Sequence, residues 1–135
     1  YQDCKPLIPV DGKPMIRHVI GLFPGERDFI FIVSRQDAEE TPLLRVLMAS
    51  APRCRIVTVA RHKKGPVFSV IRALDLIEDH EEVIVNYCDF SKHWDHQDFL
   101  RHTRGRRADG AVCAYKGFHP HMLAGPNYAF LRHQR

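Results

Sequence analysis

The sequence predicts an α/β fold in which a doubly wound, mostly parallel sheet carries helices on both faces. Four short runs rich in β-branched and aromatic residues begin at residues 28, 55, 83 and 110. Their spacing of 27 or 28 residues suits one strand, one loop and one helix per repeat. The segments between the runs have helical periodicity. The runs are apolar on both faces, which is typical of strands in a parallel sheet covered on both sides.

The predicted strands span residues 28–34, 55–59, 83–87 and 110–115. Strands that alternate with helices in one parallel sheet are joined by right-handed crossovers. In such a sheet, ligands bind beyond the carboxyl ends of the strands. We therefore expect the functional residues in the loops that follow the strands.

Each predicted helix has a start signal followed by an apolar stripe. The start signals are Gly12-Lys13-Pro14, Thr41-Pro42, Gly65-Pro66, and Asp95 with Asp98. The stripes are Met15, Ile16, Val19, Ile20 and Phe23; Leu43, Leu44, Leu47, Met48 and Ala51; Val67, Val70, Ile71, Leu74 and Ile77; and Phe99 with Leu100.

Composition and length indicate one globular domain over residues 1–135, with a net charge of +4 and a pI of about 9.0. No apolar run is long enough for a membrane span and no signal peptide is recognisable, so a cytoplasmic location is expected. Four widely spaced cysteines favour reduced thiols over a disulfide framework. Because the chain begins at Tyr1 and lacks a closing signal, we expect the domain to be incomplete at both ends.

Asp89 is the first candidate for chemistry, since it follows the apolar run at 83–87 directly. A carboxylate in that place suits Mg²⁺, which is held by one or two carboxylates together with substrate phosphates. A turn or cap aspartate is the alternative.

Cations near glycine and proline are the second candidates. Lys5 and Lys13 flank a proline-rich segment, and Lys64 precedes Gly65 and Pro66. Each lysine suits a phosphate; the alternative is a solvated surface position for Lys5 and Lys13, and a simple loop with a helix start for Lys64. His93, Asp95 and His96 do not match a standard zinc site, and basic and aromatic residues are not interleaved as in nucleic-acid binding.

The segments KPLIPVDGKPMI, KGPVFSVIRALDLI and EEVIVNYCDF together resemble the sugar-phosphate nucleotidyltransferase family. The resemblance implies a Rossmann-like core that joins a nucleoside triphosphate to a sugar 1-phosphate with Mg²⁺ and releases pyrophosphate, in nucleotide-sugar and polysaccharide biosynthesis. It implies that Lys5 lies near the phosphates, that Gly65 backs the base, and that Asp89 binds the metal. The tail segment ADGAVCAYKGFHPHMLAGPNYAFLR also resembles this family, which implies that Lys116, His119 and His121 are candidates for the sugar side.

The chain departs from the family pattern at three points. Cys88 replaces the glycine that usually precedes the metal-binding aspartate. The glycine-rich phosphate loop, G-x-G-x-x-x-R, is expected before Tyr1, and the second metal-binding aspartate beyond Arg135. A glycosyltransferase would be expected to carry a D-x-D pair, and a regulatory domain would keep the core without catalysis; both alternatives stay open here.

Overall fold

The structure is a computed structural model that describes residues 4–114 and 117. The chain forms two compact units, Tyr1–His96 and Gln97–Arg135. The first unit contains all the strands of the described residues, and the second contains nearly all of the last helix. The prediction of an α/β fold is confirmed, with short parallel and antiparallel strands among helices.

The N-terminal segment is a 3₁₀ turn, Lys5–Leu7, followed by a small hairpin. Strand β1, Pro9–Val10, pairs antiparallel with β2, Lys13–Pro14. The two residues between them, Asp11 and Gly12, have φ of 49° and 71°. Positive φ at both positions is typical of a two-residue type I′ hairpin turn, in which Asp-Gly is a favoured pair. This hairpin was not among the sequence predictions.

The central feature of the first unit is a parallel pair of strands, β3 (Ile30–Ser34) and β4 (Arg55–Val59). Their register runs from Ile30 opposite Arg55 to Ser34 opposite Val59. Helices α2 (Arg35–Glu40) and α3 (Leu43–Ser50) connect the two strands. The strands predicted at 28–34 and 55–59 are thereby confirmed, the first beginning two residues later than predicted.

The four predicted helices are present near their predicted starts. They are α1 (Met15–Ile20), α3, α4 (Pro66–Ile71) and α5 (His96–Gly105), and a 3₁₀ turn, Leu74–Leu76, follows α4. Helix α1 ends before Phe23, whose ring instead packs edge-on against Trp94 at 5.7 Å. Helix α2 was not predicted; Ser34 caps it, since its Oγ accepts the N–H of Asp37 at 3.0 Å.

The core joins α1 to α3 through four buried residues, Ile16, Val19, Leu43 and Leu47. Phe31 and Val33 of β3 pack against this cluster. Because residues two apart project from the same face of a strand, the core covers that face of the parallel pair.

The strands predicted at 83–87 and 110–115 are wrong for the residues that the structure describes there. Residues 81–87 and 111–114 have no strand pairing, and residue 115 lies outside the described range. Val83, Val85 and Val112 are 51%, 64% and 79% exposed. High β propensity reflects how well a side chain fits a half-buried sheet surface. Among the described strands, none pairs with these two segments to form such a surface. None of the helices in the described residues has the length and apolar character that a membrane span requires.

Candidate active site

An ion pair between Lys5 and Asp89 joins two residues that are 84 positions apart in the chain. Lys5 Nζ lies 3.1 Å from Asp89 Oδ2. Both side chains are accessible, with 58% of Lys5 and 39% of Asp89 exposed. The structure therefore brings together two of the residues that the sequence analysis selected.

The hydrophobic core fixes both ends of this pair. Cys4 and Leu7, on either side of Lys5, pack against the cluster formed by α1 and α3. Cys88, directly before Asp89, packs against the same cluster. Because the backbone next to each charged residue is held by apolar contacts, the charged groups face solvent while their attachment points stay fixed.

Asp89 lies in a turn rather than at the end of a strand, which corrects the position predicted for it. The side-chain amide of Asn86 donates to the carbonyl of Tyr87 at 2.9 Å and to that of Phe90 at 3.4 Å. Asn86 therefore bridges the turn that carries Asp89. The sequence analysis missed this role, although Asn is frequent at turns because its side chain bonds nearby backbone groups.

Both members of the Lys5–Asp89 pair affect the pKa of the Cys88 thiol. Burial raises the pKa of Cys88, the neighbouring Asp89 carboxylate raises it further, and Lys5 lowers it. Burial also raises the pKa of Cys4, whose thiol has a hydrogen bond with Thr41. Both thiols are free, as predicted, and remain protonated at neutral pH.

Lys13 is placed by the hairpin. It stands exposed on β2, and the hairpin is fastened to α1 by His18, whose ring Nε2–H donates to the carbonyl of Val10 at 2.8 Å. The backbone N–H of Met15 donates to the carbonyl of Ile8 at 2.9 Å. The segment that contains Lys5 and Lys13 is thus one folded unit built on α1.

Two clefts flank residues 60–64; Lys64 lines the second of them and Gly65 lines neither. The first, with a volume of about 530 Å³, lies at the carboxyl ends of β3 and β4 and is lined by Ser34, His62, Lys63 and Ser69 among others. The second, of about 510 Å³, is lined by Lys64, Phe68 and Arg72 among others. Neither cleft includes Lys5 or Asp89 in its lining.

Gly65 has a φ of 82°, which a residue with a side chain rarely adopts. No protein atom lies within 4 Å of the position that a Cβ would occupy there. The backbone at Gly65 is therefore open to a ligand, and the glycine is required by its conformation.

A polar network at the carboxyl ends of β3 and β4 was missed by the sequence analysis. The hydroxyl of Ser34 donates to Asp37 Oδ2 at 2.6 Å, and Arg61 NH2 lies 3.7 Å from Asp37 Oδ1. The position of these residues, at the ends of the predicted strands or just after them, could have identified them, since ligands of parallel sheets bind beyond the carboxyl ends of the strands. Ser34 and Arg61 both line the first cleft.

The histidines do not form a metal site in the part of the chain that the structure describes. Among residues 4–114 and 117, no three His, Cys, Asp or Glu side chains gather around a common point. His96 is only 2% exposed and packs against Phe23 and Trp94. Lys116, His119 and His121, predicted for the sugar side, lie outside the described residues.

Asp89 fits the donor requirements of Mg²⁺. Its carboxylate is partly exposed, and its oxygen atoms are the hard ligands that this ion prefers. Magnesium is commonly held by one or two carboxylates with substrate phosphates and water, so a cluster of three protein ligands is not needed.

Comparison with curated proteins and with solved structures gave no significant match. A family model for the MobA-like NTP transferase domain matches residues 1–134, nearly the whole chain. Because this match covers nearly the whole chain, the chain belongs to the family of MobA-like NTP transferase domains, whose general activity is nucleotidyl transfer.

Proposed function

We propose that the protein joins a nucleoside triphosphate to a sugar 1-phosphate and releases pyrophosphate, producing a nucleotide sugar. The observation that carries the proposal is the Lys5–Asp89 pair, which presents a cation and a carboxylate together at an accessible surface. The family supports nucleotidyl transfer in general. The sugar-phosphate substrate is supported by the segment KPLIPVDGKPMI, which resembles the enzymes that activate sugars.

In the proposed reaction, an oxygen of the sugar phosphate attacks the α-phosphorus of the triphosphate, and the bond to the β-phosphate oxygen breaks in line. Negative charge is spread over the transferring group, so most of the catalysis comes from positioning and charge neutralisation. Lys5 supplies a positive charge beside the phosphates. No covalent intermediate with the protein is required.

Asp89 would hold Mg²⁺ in this reaction, close to the ammonium group of Lys5, which lies 3.1 Å from Asp89 Oδ2. Bound Mg²⁺ supplies neutralisation of the charge on the triphosphate and on the leaving pyrophosphate. Metal binding by Asp89 would weaken its ion pair with Lys5, and a phosphate oxygen would then become the partner of the Lys5 ammonium group. The exposure of both side chains allows that exchange.

The remaining assignments complete the proposal. Lys13, Lys64 and Gly65 contact the nucleotide, and Lys116, His119 and His121 contribute to the sugar side. We infer that β3 and β4 belong to a doubly wound, mostly parallel sheet, and that residues 1–135 form one nucleotidyltransferase domain, in the cytoplasm.

The test is pyrophosphate release measured with each of the four nucleoside triphosphates, a panel of sugar 1-phosphates and Mg²⁺. Asp89→Ala should lower the rate by at least about 100-fold, the loss typical of removing one group that stabilises developing charge. Lys5→Met should lower it similarly.

Asp98→Ala is the matched control, because Asp98 is also an exposed aspartate in an ion pair, with Arg101 at 2.7 Å. It should retain the wild-type rate. Retained activity in Asp89→Ala would contradict the metal-binding role.

A further inference from the structure

The second cleft, lined by Lys64, Phe68 and Arg72, contains a cation, Arg72, that the proposed reaction does not use. We call it the Phe68 cleft; it also includes Thr58, Arg61 and His62. Lys64 Nζ lies 4.6 Å from the centre of the Phe68 ring, and Arg72 Cζ lies 4.7 Å from it. The two positive groups are therefore at most 9.3 Å apart, the sum of these distances.

No carboxylate in residues 4–114 balances these charges. The lining of the Phe68 cleft contains no aspartate or glutamate. Within the part of the chain that the structure describes, neither Lys64 nor Arg72 takes part in an ion pair. A phenyl ring attracts a cation weakly through its quadrupole and cannot neutralise two. An anion in the cleft that both residues line would be attracted by both positive charges.

The Phe68 ring, whose centre lies within 4.7 Å of both cationic groups, is held in place by His62. The backbone N–H of Lys64 donates to His62 Nδ1 at 3.2 Å, so the proton of the ring is on Nε2, which donates to Ser69 Oγ at 2.9 Å. The imidazole meets the Phe68 ring edge-on, with 4.7 Å between their centres. Both nitrogens of His62 are thereby occupied, and the ring packs Phe68 from the side.

Further polar groups are available around the same cleft. Thr58 is exposed on β4, and Arg61 is only loosely paired with Asp37 at 3.7 Å. A guanidinium, an ammonium and a hydroxyl make a set of donors that matches a phosphoryl group, whose three oxygens accept several charge-assisted hydrogen bonds.

We propose that the Phe68 cleft is a second anion site, apart from Lys5 and Asp89, which binds the phosphoryl group of a small phosphate-bearing molecule. Arg72 and Lys64 are its principal ligands, on a platform formed by Phe68 and His62. The proposal does not require nucleotidyl transfer, because anion binding in the cleft is measurable without Mg²⁺ or a second substrate. If both proposals hold, Lys64 is common to the nucleotide and to this cleft.

The test is a titration of the ¹⁵N-labelled protein, followed by backbone amide chemical shifts at constant ionic strength and without Mg²⁺. The probes are inorganic phosphate and ribose 5-phosphate, with chloride as the reference anion. We expect saturable shifts at Lys64, Phe68 and Arg72. Arg72→Ala and Lys64→Ala should each weaken binding about tenfold or more, the effect of losing one hydrogen bond to a charged group.

Arg53→Ala is the control, since Arg53 is an exposed arginine in a turn outside both clefts. It should keep the wild-type affinity within about twofold, because loss of a distant surface charge is largely screened by salt. Arg72→Lys should retain most of the affinity that Arg72→Ala loses, and its amide spectrum should show the wild-type fold. Tighter binding of ribose 5-phosphate than of inorganic phosphate would assign the site to an ester, and equal binding to the phosphoryl group alone.

Three results would overturn the proposal. They are the absence of saturable shifts at Phe68 and Arg72, an equal effect of Arg72→Ala and Arg53→Ala, and a loss in Arg72→Lys as large as in Arg72→Ala. Asp89 does not line the Phe68 cleft, so a negative result here would not contradict the proposed transfer reaction, which the pyrophosphate-release assay tests separately.

Discussion

Replacing Asp89 with asparagine should leave the folding stability of the protein almost unchanged. The substitution keeps the size of the side chain and removes its charge, so the ion pair with Lys5 is lost. The pair is a single contact of 3.1 Å between side chains that are 58% and 39% exposed. Exposed pairs of this kind contribute about 0–1 kcal/mol, because water and salt screen the attraction.

The expected change is therefore below about 1 kcal/mol in the free energy of unfolding, or about 4 °C in the melting temperature of a domain of this size. Urea denaturation can be followed by the fluorescence of Trp94, the single tryptophan, whose indole N–H donates to the carbonyl of Leu22 at 3.0 Å. Leu47→Ala is the positive control: Leu47 is 1% exposed in the core, and its truncation should cost about 3–5 kcal/mol.

A loss of more than about 2 kcal/mol in Asp89→Asn would refute this reasoning. It would mean that the pair holds the fold together, and that a loss of transfer activity in Asp89 variants could follow from unfolding. A small loss, combined with loss of activity, would assign Asp89 to the chemistry.

Two further predictions concern the fold around the site. Ser34→Ala should destabilise the protein by about 1 kcal/mol in the same denaturation assay, because the N-cap of α2 is lost. Ser34→Thr should keep the cap and most of the stability. Equal losses of stability in both variants would contradict this role of Ser34. Burial raises the pKa of Cys4 and Cys54, so the folded state holds these protons more tightly than the unfolded state. Their contribution to stability is complete below the ordinary thiol pKa and is lost as pH rises through the folded values, so the urea midpoint should fall above about pH 8.5. A Cys4→Ser, Cys54→Ser double variant should show a smaller fall, and an unchanged fall would contradict the assignment to the thiols.

Local signals in the sequence account for much of the observed fold. The β-branched runs at 28–34 and 55–59 predicted β3 and β4, and proline after threonine or glycine marked the starts of α3 and α4. These signals succeed because they depend on backbone preferences within a few residues. Helix α2 was not predicted because Arg35–Glu40 has no apolar stripe. The only sequence signal for its start is the capping residue Ser34.

The failures have a common physical cause. Residues 83–87 have the composition of a strand, but a strand exists only when a neighbour supplies its hydrogen bonds, and composition does not show whether one does. The same limit applies to the site. Residue type and position selected Lys5 and Asp89 separately, whereas their contact across 84 residues depends on the packing of Cys4 and Cys88 against one core. The convergence of Lys64 and Arg72 on Phe68 likewise required coordinates.

The most direct test of the account is to observe the reaction itself by ³¹P nuclear magnetic resonance. Wild-type protein is incubated with Mg²⁺, a nucleoside triphosphate and a sugar 1-phosphate, each substrate also being omitted in turn. We expect pyrophosphate and a nucleoside diphosphate sugar in equal amounts, and only when both substrates are present. Pyrophosphate without the sugar phosphate, or no product with any pair of substrates, would contradict it.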